Sequence, residues 1–403
     1  MTTRHEITAG FVPLLDSALL VAAREKGFAE KNDITLSLVR ERSWASIRDR
    51  LAVSHVDVAH ILGPMPIACN LGLSAPAQKM IVPMALGLGG NAVTVSAALW
   101  WAMAGHGATP DLDARRNGEA LQHVIAERRG VPLRFGVVHP FSGHNYELRY
   151  WLAASGIDPD RDIEILVLPP PDMGDALAQG LIDGYCAGEP WNTFGVVHRG
   201  AHLATTKAAI WRSSPEKVLG VNAGWAAAHP EALSALIAAL DEASRWCGRP
   251  ENHAELADIL SSPAYVGGDA ALLLPALTGM LSVGGETRFV RDFFVPHAKA
   301  ATFPWKSHAL WFYTQMVRWG QTKHSAAHQE IAAETYRPDL YRTALKSRGV
   351  ALPSASAKVE GALTVETPVG SSGNLSLGPD GFFDGGLFDP DAVDDYIAAQ
   401  TKR

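Results

Sequence analysis

The segment Glu6-Ile-Thr-Ala-Gly-Phe-Val-Pro-Leu-Leu-Asp-Ser17 contains a short apolar strand that is followed at once by a polar turn. A helical pattern over 15–30 comes next, and a second apolar strand follows over 34–39. Strands that alternate with helices of this length predict β-α-β units and a parallel or mixed sheet. The opening of the chain therefore predicts an α/β fold.

The alternation of strands and helices continues in two blocks, one up to about Val95 and one from the predicted helix 119–129 onward. Between them, residues 100–118 are rich in Gly, Asp and Arg, and we interpret them as loop and weak helix. After a last strand the chain is rich in helical patterns, up to a long helix near 308–320. Beyond the first two, the predicted strands are 56–61, 80–85, 133–138, 163–167, 182–186, 201–205 and 218–222.

The length of the chain, 403 residues, predicts more than one domain. An ordinary domain has roughly 100–200 residues, so we expect two domains around separate cores. The chain is expected to cross between the two blocks near 90–98 and again near 206–220, which makes the first lobe discontinuous. We therefore predict two α/β lobes with a hinged ligand cleft between them. Lobe I comprises 1–92 and 218–403, and lobe II comprises 93–217.

The end of the chain differs in composition from the two blocks. Residues 352–403 are rich in Gly, Ser, Pro and Asp, which favours an extended tail that lies on a lobe. One short helical stretch is expected in this tail, at 391–400.

Composition and charge exclude several classes of protein. With 47% hydrophobic and 19% charged residues, the chain has ample material for cores and is not disordered. The formal net charge is −7 and no run of Lys or Arg exceeds a pair, which argues against direct nucleic-acid binding. No stretch approaches the ~18 apolar residues of a membrane-spanning helix. The first ten residues lead directly into a strand and show no signal-peptide pattern, so we expect no membrane association and a cytoplasmic location.

Motifs for catalysis or for a metal are absent from the sequence. It contains no G-x-S-x-G, H-E-x-x-H, Walker A or G-x-G-x-x-G motif. Cys69, Cys186 and Cys247 show no C-x-x-C spacing and are expected to be small buried residues. Two histidine pairs at i, i+4 spacing lack an accompanying carboxylate or thiolate, which favours surface pairs over metal ligands. We predict a protein that is not an enzyme and has no metal and no cofactor.

Polar residues follow several predicted strands at the points where helices begin. In open α/β sheets ligands bind beyond the carboxyl ends of strands, and helix N-termini offer free N–H groups to a small anion. In His139-Pro-Phe-Ser-Gly-His-Asn145, Ser142 is a candidate N-cap that places His144 in the first helical turn. His144 could then aim a ring N–H across the cleft, although an ordinary surface or buried histidine is the simpler alternative.

Two further junctions have the same character. After strand 182–186, Gly188 and Glu189 precede Pro190, which fits the first position of the next helix. Lys217 stands where the chain is expected to return to the first lobe. Taken alone, Lys217 could also be a solvated lysine before a strand.

Several long segments of the sequence closely resemble the nitrate/bicarbonate solute-binding family of NrtA and CmpA type. The resemblance covers about residues 5–345 and implies a type II periplasmic-binding-protein fold with the anion between the lobes. The segments that carry it are Ile7-Thr-Ala-Gly-Phe-Val-Pro-Leu14, Arg149-Tyr-Trp-Leu-Ala-Ala-Ser-Gly-Ile-Asp-Pro159, Asp183-Gly-Tyr-Cys-Ala-Gly-Glu-Pro-Trp-Asn192, Pro215-Glu-Lys-Val-Leu-Gly220 and Phe303-Pro-Trp305 with Tyr336-Arg-Pro-Asp-Leu-Tyr341.

The resemblance also implies the ligand-binding residues. The nitrate-site lysine of the family falls on Lys217, the histidine on His144 and the tryptophan on Trp44. Where the nitrate proteins typically carry Gly-Gln-Ala, this chain has Gly90-Asn91-Ala92, so Asn91 is a shorter amide. The bicarbonate branch resembles this chain overall but places an acidic residue at the lysine position, so Lys217 favours nitrate or nitrite and disfavours the calcium ion associated with that branch.

A second group of residues is expected to support these ligands. Gly188, Glu189 and Ser142 lie next to the predicted binding residues. Glu189 would repel an anion if its carboxylate pointed at the ligand, so we expect it to cap its helix or to pair with Lys217.

Members of the family without an export signal resemble cytoplasmic nitrate/nitrite sensors of the NasS type. This resemblance implies that the protein is a sensor whose ligand controls its association with a NasT-like RNA-binding antiterminator. The alternative function is the substrate-binding component of a nitrate/nitrite ABC transporter, which requires export. A small-anion enzyme of the same fold is the third class, and no nucleophile with an adjacent base supports it.

Overall fold

The computed structural model describes residues 4–75, 78–128, 130–370 and 374–400. The strands are β1 His5–Phe11, β2 Ile34–Arg40, β3 Val58–Leu62, β4 Met80–Ala85, β5 Leu88–Gly89, β6 Asn91–Val95, β7 Leu133–Val137, β8 Ile163–Val167, β9 Gly184–Gly188, β10 His202–Thr206, β11 Lys217–Asn222, β12 Met280–Val283, β13 Glu286–Phe289, β14 Phe294–Val295, β15 Thr367–Val369 and β16 Leu375–Leu377. The helices are α1 Ala18–Glu25, α2 Phe28–Lys31, α3 Trp44–Ala52, α4 Pro64–Asn70, α5 Ala97–Gly105, α6 Ala114–Glu127, α7 Gly143–Ala154, α8 Met173–Ala178, α9 Trp191–Arg199, α10 Lys207–Ile210, α11 Ala223–Ala228, α12 Pro230–Cys247, α13 His253–Leu260, α14 Ala270–Thr278, α15 Lys306–Arg318, α16 Ala326–Thr335, α17 Pro338–Leu345 and α18 Val393–Gln400.

The first sheet has five strands in the order β2-β1-β3-β11-β4. Strand β1 runs parallel to β2 and β3, as the β-α-β pattern predicts. Strand β11 is antiparallel to both β3 and β4, and its first residue, Lys217, lies opposite Leu62 at the end of β3. The returning strand therefore places Lys217 at the edge of the sheet where the parallel strands end.

The second sheet also has five strands, in the order β10-β6-β9-β7-β8. Strand β7 is parallel to β8 and β9, whereas β6 is antiparallel to β9 and β10. The chain enters this sheet through 86–90 and leaves it through 207–216. The predicted α/β fold with two lobes is confirmed, while the exact residue boundaries of the lobes stay predictions.

The region 100–118 is more helical than predicted. Helix α5 occupies its first part, and α6 begins at Ala114. One of the Asp residues that indicated a loop is a helix cap, because the side chain of Asp113 accepts from the N–H of Arg116. Ser96, just before this region, caps α5 by accepting from the N–H of Leu99. Residue 129, where the helix predicted over 119–129 ends, lies outside the described residues.

Other predicted helices were shifted, divided or missed. The helix predicted over 15–30 is divided at Gly27, whose φ of +73° ends the run of helical residues. Beyond residue 320, the structure adds α16 and α17, which were not predicted. The hairpin of β12 and β13 was also missed, because its short strands follow a helix directly.

The tail is largely extended, as predicted, and ends in α18. Phe382 stacks on Trp211 with ring centroids 4.5 Å apart, so the tail packs on the segment that connects the two sheets. The tail also contacts α7, because the hydroxyl of Tyr150 donates to Asp384. A partly buried ion pair between Lys358 and Asp380, at 2.6 Å, joins two parts of the tail.

The three cysteines lie in the interior, as expected. Cys69, Cys186 and Cys247 are all buried and unpaired. Within the part of the chain that the structure describes, none of the helices combines the length and apolar character needed to span a bilayer.

Candidate functional site

Lys217 is the centre of a buried group of charged side chains. Its side chain is buried, and its Nζ lies 2.7 Å from Asp16 Oδ2 and 2.6 Å from Glu216 Oε1. Burial alone would lower the pKa of Lys217, but the two carboxylates outweigh this effect and raise the pKa. The ammonium group is therefore charged, and it stands 5.5 Å from the ring centre of Trp44.

Asp16 is held in the turn between β1 and α1 by two contacts. Its Oδ1 lies 2.8 Å from His60 Nε2 on β3, and its Oδ2 faces Lys217. Burial would raise the pKa of Asp16, but Lys217 and His60 lower it to about 2. Asp16 is consequently ionised at neutral pH and fixed in position.

A second buried lysine extends the group toward α7. Lys207 Nζ lies 2.5 Å from Glu216 Oε2 and 2.9 Å from Glu147 Oε1. Burial raises the pKa of Glu147 to about 8, although Lys207 opposes this rise. Glu216 is shared by both lysines, which hold its pKa well below the usual range against the effect of burial. The five side chains form a continuous chain in the order Glu147, Lys207, Glu216, Lys217 and Asp16, in which Glu147 is largely protonated at neutral pH.

Three of the four predicted ligand residues carry buried polar atoms without hydrogen-bond partners among the described residues. These atoms are Trp44 Nε1, the amide oxygen and nitrogen of Asn91 and both ring nitrogens of His144. Such atoms are rare in folded proteins because each one loses its hydration without compensation. They indicate a place where a polar ligand completes the hydrogen bonding.

Local structure explains how Trp44 and His144 reach this place. Ser43 and Ser142 cap α3 and α7, and their side chains accept from the N–H groups of residues 46 and 145 at 3.2 and 3.0 Å. Trp44 and His144 therefore lie in the first turns of their helices, as predicted for His144. His144 Nδ1 lies 3.7 Å from Glu216 Oε1.

The absence of a side chain at Gly188 leaves room where Asn91 approaches this chain of ionisable residues. Asn91 begins β6 and pairs with Gly188 on β9. A Cβ atom added to Gly188 would lie 3.2 Å from Asn91 Oδ1 and 3.7 Å from Asp16 Oδ2. The structure thus brings Trp44, Asn91 and His144 together with Lys217, and Gly188 leaves the space between Asn91 and Asp16 open.

Glu189 caps its helix and does not pair with Lys217. Its Oε2 accepts from the backbone N–H of Thr193 at 3.1 Å. The prediction for Pro190 is wrong by one position, because α9 begins at Trp191 and Pro190 is its N-cap. The Glu189 carbonyl accepts from the N–H of Leu15 at 2.8 Å, which joins the two lobes beside the site.

Sequence reasoning missed five charged or titratable residues of the site, and the signals for them differ. Asp16 lies in the polar turn after the first strand, and Glu216 directly precedes Lys217, so both were visible in segments already identified. The remaining three gave no signal: His60 is inside a strand, and Glu147 and Lys207 sit on helices. The five residues are Asp16, His60, Glu147, Lys207 and Glu216.

The described residues contain no group of three or more His, Cys, Asp or Glu side chains arranged to hold a metal ion. The chemistry of the site is that of two ammonium groups, a set of carboxylates and several partnerless donors. Such an arrangement can bind a small polar ligand, and the site lacks a nucleophile with an adjacent base.

A model of the NMT1-like family matches residues 2–261 of this chain. The chain belongs to the NMT1-like family. Two relatives with overall similarity are named as binding proteins. The chain is 31% identical to the nitrate/nitrite binding protein NrtA of a Nostoc species, over 98% of this chain and 85% of that protein. It is 30% identical to the bicarbonate-binding protein CmpA of Synechococcus elongatus, over 98% of this chain and 87% of that protein.

Two further comparisons concern another relative and a solved structure. The chain is 36% identical to the nitrate import ATP-binding protein NrtC of a Synechocystis species. The match covers 84% of this chain but only half the length of NrtC. The crystal structure of the periplasmic nitrate-binding protein NrtA from Synechocystis PCC 6803 matches with a TM-score of 0.85 and 27% identity, over 98% of both chains. The predicted resemblance to the NrtA and CmpA family is confirmed. The prediction that the protein is not an enzyme agrees with relatives that are named as binding proteins.

Proposed function

We propose that the protein binds nitrate or nitrite, without chemical change, between Lys217, His144, Trp44 and Asn91. The observation that carries this proposal is the set of partnerless buried polar atoms beside a buried ammonium group. Nitrate is planar, singly charged and a weak hydrogen-bond acceptor, so its burial requires one cation and donors for its oxygens. An ammonium group has three N–H donors, and two of those of Lys217 face carboxylates, which leaves one for the anion.

The family relatives leave two classes of anion open, since NrtA is named for nitrate and nitrite and CmpA for bicarbonate. Lys217 supports the first class, because the bicarbonate branch carries an acidic residue at this position in the resemblance described above. Trp44 fits either class, since its ring can stack on a planar ion or donate its indole N–H, and nitrate and bicarbonate are both planar.

Calorimetry of the purified protein with nitrate, nitrite, bicarbonate and sulfate at pH 7.5 tests the ligand. We expect heat of binding from nitrate and nitrite only. Heat from bicarbonate alone would assign the protein to the other class of anion. No heat from any of the four would contradict the proposal.

We further propose that the protein acts as a cytoplasmic NasS-like sensor, which nitrate or nitrite releases from a NasT-like antiterminator. The resemblance to NasS supports this role, and two polar contacts between the lobes support a coupling between the ligand and lobe closure. Leu15 N–H donates to the Glu189 carbonyl, and Trp191 Nε1 donates to the Pro13 carbonyl at 3.3 Å. The alternative is the substrate-binding component of a nitrate/nitrite ABC transporter, which the names of NrtA and NrtC favour.

Gel filtration of the mixed proteins with and without millimolar nitrate separates these two roles. A sensor is expected to co-elute with the antiterminator only without nitrate. Linkage requires the antiterminator to lower nitrate affinity by the factor by which nitrate lowers antiterminator affinity. No complex, or a complex that nitrate does not affect, would contradict the sensor and favour the transporter.

Replacing His144 with alanine is expected to weaken nitrate binding by the same factor at pH 6 and at pH 8. Burial lowers the pKa of His144 to about 3, and Glu216 only partly opposes this effect. The imidazole is therefore neutral at both pH values and its donor strength does not change between them. Calorimetric titration at both pH values gives the ratio of the nitrate affinities of wild type and variant. A larger loss of affinity at pH 6 than at pH 8 would show that the ring is charged when the anion is bound.

A further inference from the structure

The charge of Lys217 is already balanced before any ligand enters. Asp16 and Glu216 each place a carboxylate oxygen within 2.7 Å of its Nζ. The second lysine, Lys207, pairs with Glu216 in the same way, and its other neighbour, Glu147, is largely protonated at neutral pH because burial raises its pKa to about 8. Two lysines and two carboxylates thus leave the buried site without net charge.

We propose that Asp16 determines which anions the site accepts, by restricting them to a single negative charge. This inference rests on the proposed anion-binding function and deepens it, since it names the property of the ligand that is selected. It concerns the charge of the ligand and not its shape.

The position of Asp16 supports this role. Two acceptors on different N–H groups of one ammonium stand about 4.5 Å apart, because each hydrogen bond is about 2.8 Å long. An anion on the third N–H of Lys217 therefore lies close to the fixed carboxylate of Asp16. The repulsion between two charges is proportional to each charge, so a doubly charged anion meets twice the repulsion of a singly charged one.

Asp16 is a better candidate than Glu216 for this selection. Glu216 binds both lysines and so serves the structure of the whole chain of charges. Asp16 contacts Lys217 and His60, and its Oδ2 borders the open space at Gly188 opposite Asn91. Its charge can therefore be removed with an isosteric amide while Lys217 keeps its pairing with Glu216.

The test compares Asp16→Asn with the wild type and with Asp241→Asn. Asp241 is a matched control because it is also buried and paired, with Arg245 on α12, and the change removes the same charge. Calorimetry measures the affinity for nitrate, and competition against nitrate measures the affinities for perchlorate and sulfate. These two anions are both tetrahedral and differ by one charge.

We expect Asp16→Asn to bind nitrate about tenfold more tightly, since one repulsive charge is removed. The preference for perchlorate over sulfate is expected to fall at least tenfold, whereas Asp241→Asn behaves like the wild type. If neither perchlorate nor sulfate binds, the change in nitrate affinity between the wild type and Asp16→Asn decides whether the inference holds. Unchanged or weaker nitrate binding in Asp16→Asn would overturn the inference, as would an unchanged perchlorate-to-sulfate ratio.

Three further outcomes are distinguishable. If circular dichroism shows that Asp16→Asn does not fold, Asp16→Ser removes the same charge with a smaller side chain and is expected to shift the same ratio in the same direction. If the wild type binds none of nitrate, nitrite or bicarbonate, the proposed function fails together with the inference. If the wild type binds nitrate and the variants keep its selectivity, only the inference fails.

Discussion

Replacement of Lys217 by glutamate is expected to lower nitrate affinity by more than a hundredfold. The change removes the charged donor nearest the proposed ligand and adds a third carboxylate beside Asp16 and Glu216. Hydrogen bonds to charged groups contribute roughly 1.5–3 kcal/mol, and repulsion by the new charge adds to this loss. Calorimetry with nitrate measures the effect, and an affinity within threefold of the wild type would exclude Lys217 as a ligand.

The design of this experiment must separate lost binding from lost folding. Three neighbouring buried carboxylates destabilise the protein by themselves, so Lys217→Glu alone is ambiguous if it does not fold. The double variant Lys217→Met/Asp16→Asn removes one positive and one negative charge and keeps the balance of the site. We expect it to fold and still not to bind nitrate. Lys306→Glu, which disrupts an exposed pair with Glu334, is the control for a reversed lysine and is expected to bind nitrate normally.

The fold could be predicted from the sequence because the periodicity of apolar residues reports burial directly. Strands such as 80–85 and 163–167 were predicted with the bounds that the structure gives them. The failure at 100–118 has a physical cause. Asp113 favours a turn in isolation, but here its side chain caps α6, a helix whose stability comes from packing.

Only part of the site was visible in the sequence. Trp44, His144 and Lys217 stand at junctions between elements, where polar residues are noticeable, and the family resemblance identified them. Glu147 and Lys207 look like ordinary surface residues of helices in the sequence. Their burial depends on partners that are distant along the chain, which composition and periodicity do not report.

Replacement of Lys207 is expected to have a large effect on the stability of the protein. Its side chain is buried and its Nζ contacts Glu216, Glu147 and the carbonyl of Pro215 at 2.5 Å. Lys207→Met is expected to lower the free energy of unfolding by about 3–5 kcal/mol at pH 7, the usual cost of removing one partner from a buried ion pair. The matched control Lys306→Met breaks the exposed pair with Glu334 and is expected to cost at most about 1 kcal/mol.

The pH dependence of this difference tests whether the charge of Glu216 is its cause. The lysines hold the pKa of Glu216 well below its usual range, so its ionised form stabilises the wild type above about pH 4.5, the unperturbed value for a glutamate, and this contribution is lost as the pH falls further. In Lys207→Met, Glu216 keeps only Lys217 as a cationic partner and takes up a proton more readily. Urea unfolding followed by tryptophan fluorescence is therefore expected to show the largest difference between wild type and variant at pH 7, and a smaller one toward pH 4. A difference that stays constant over this range would mean that Lys207 stabilises the protein through packing of its aliphatic chain and not through Glu216.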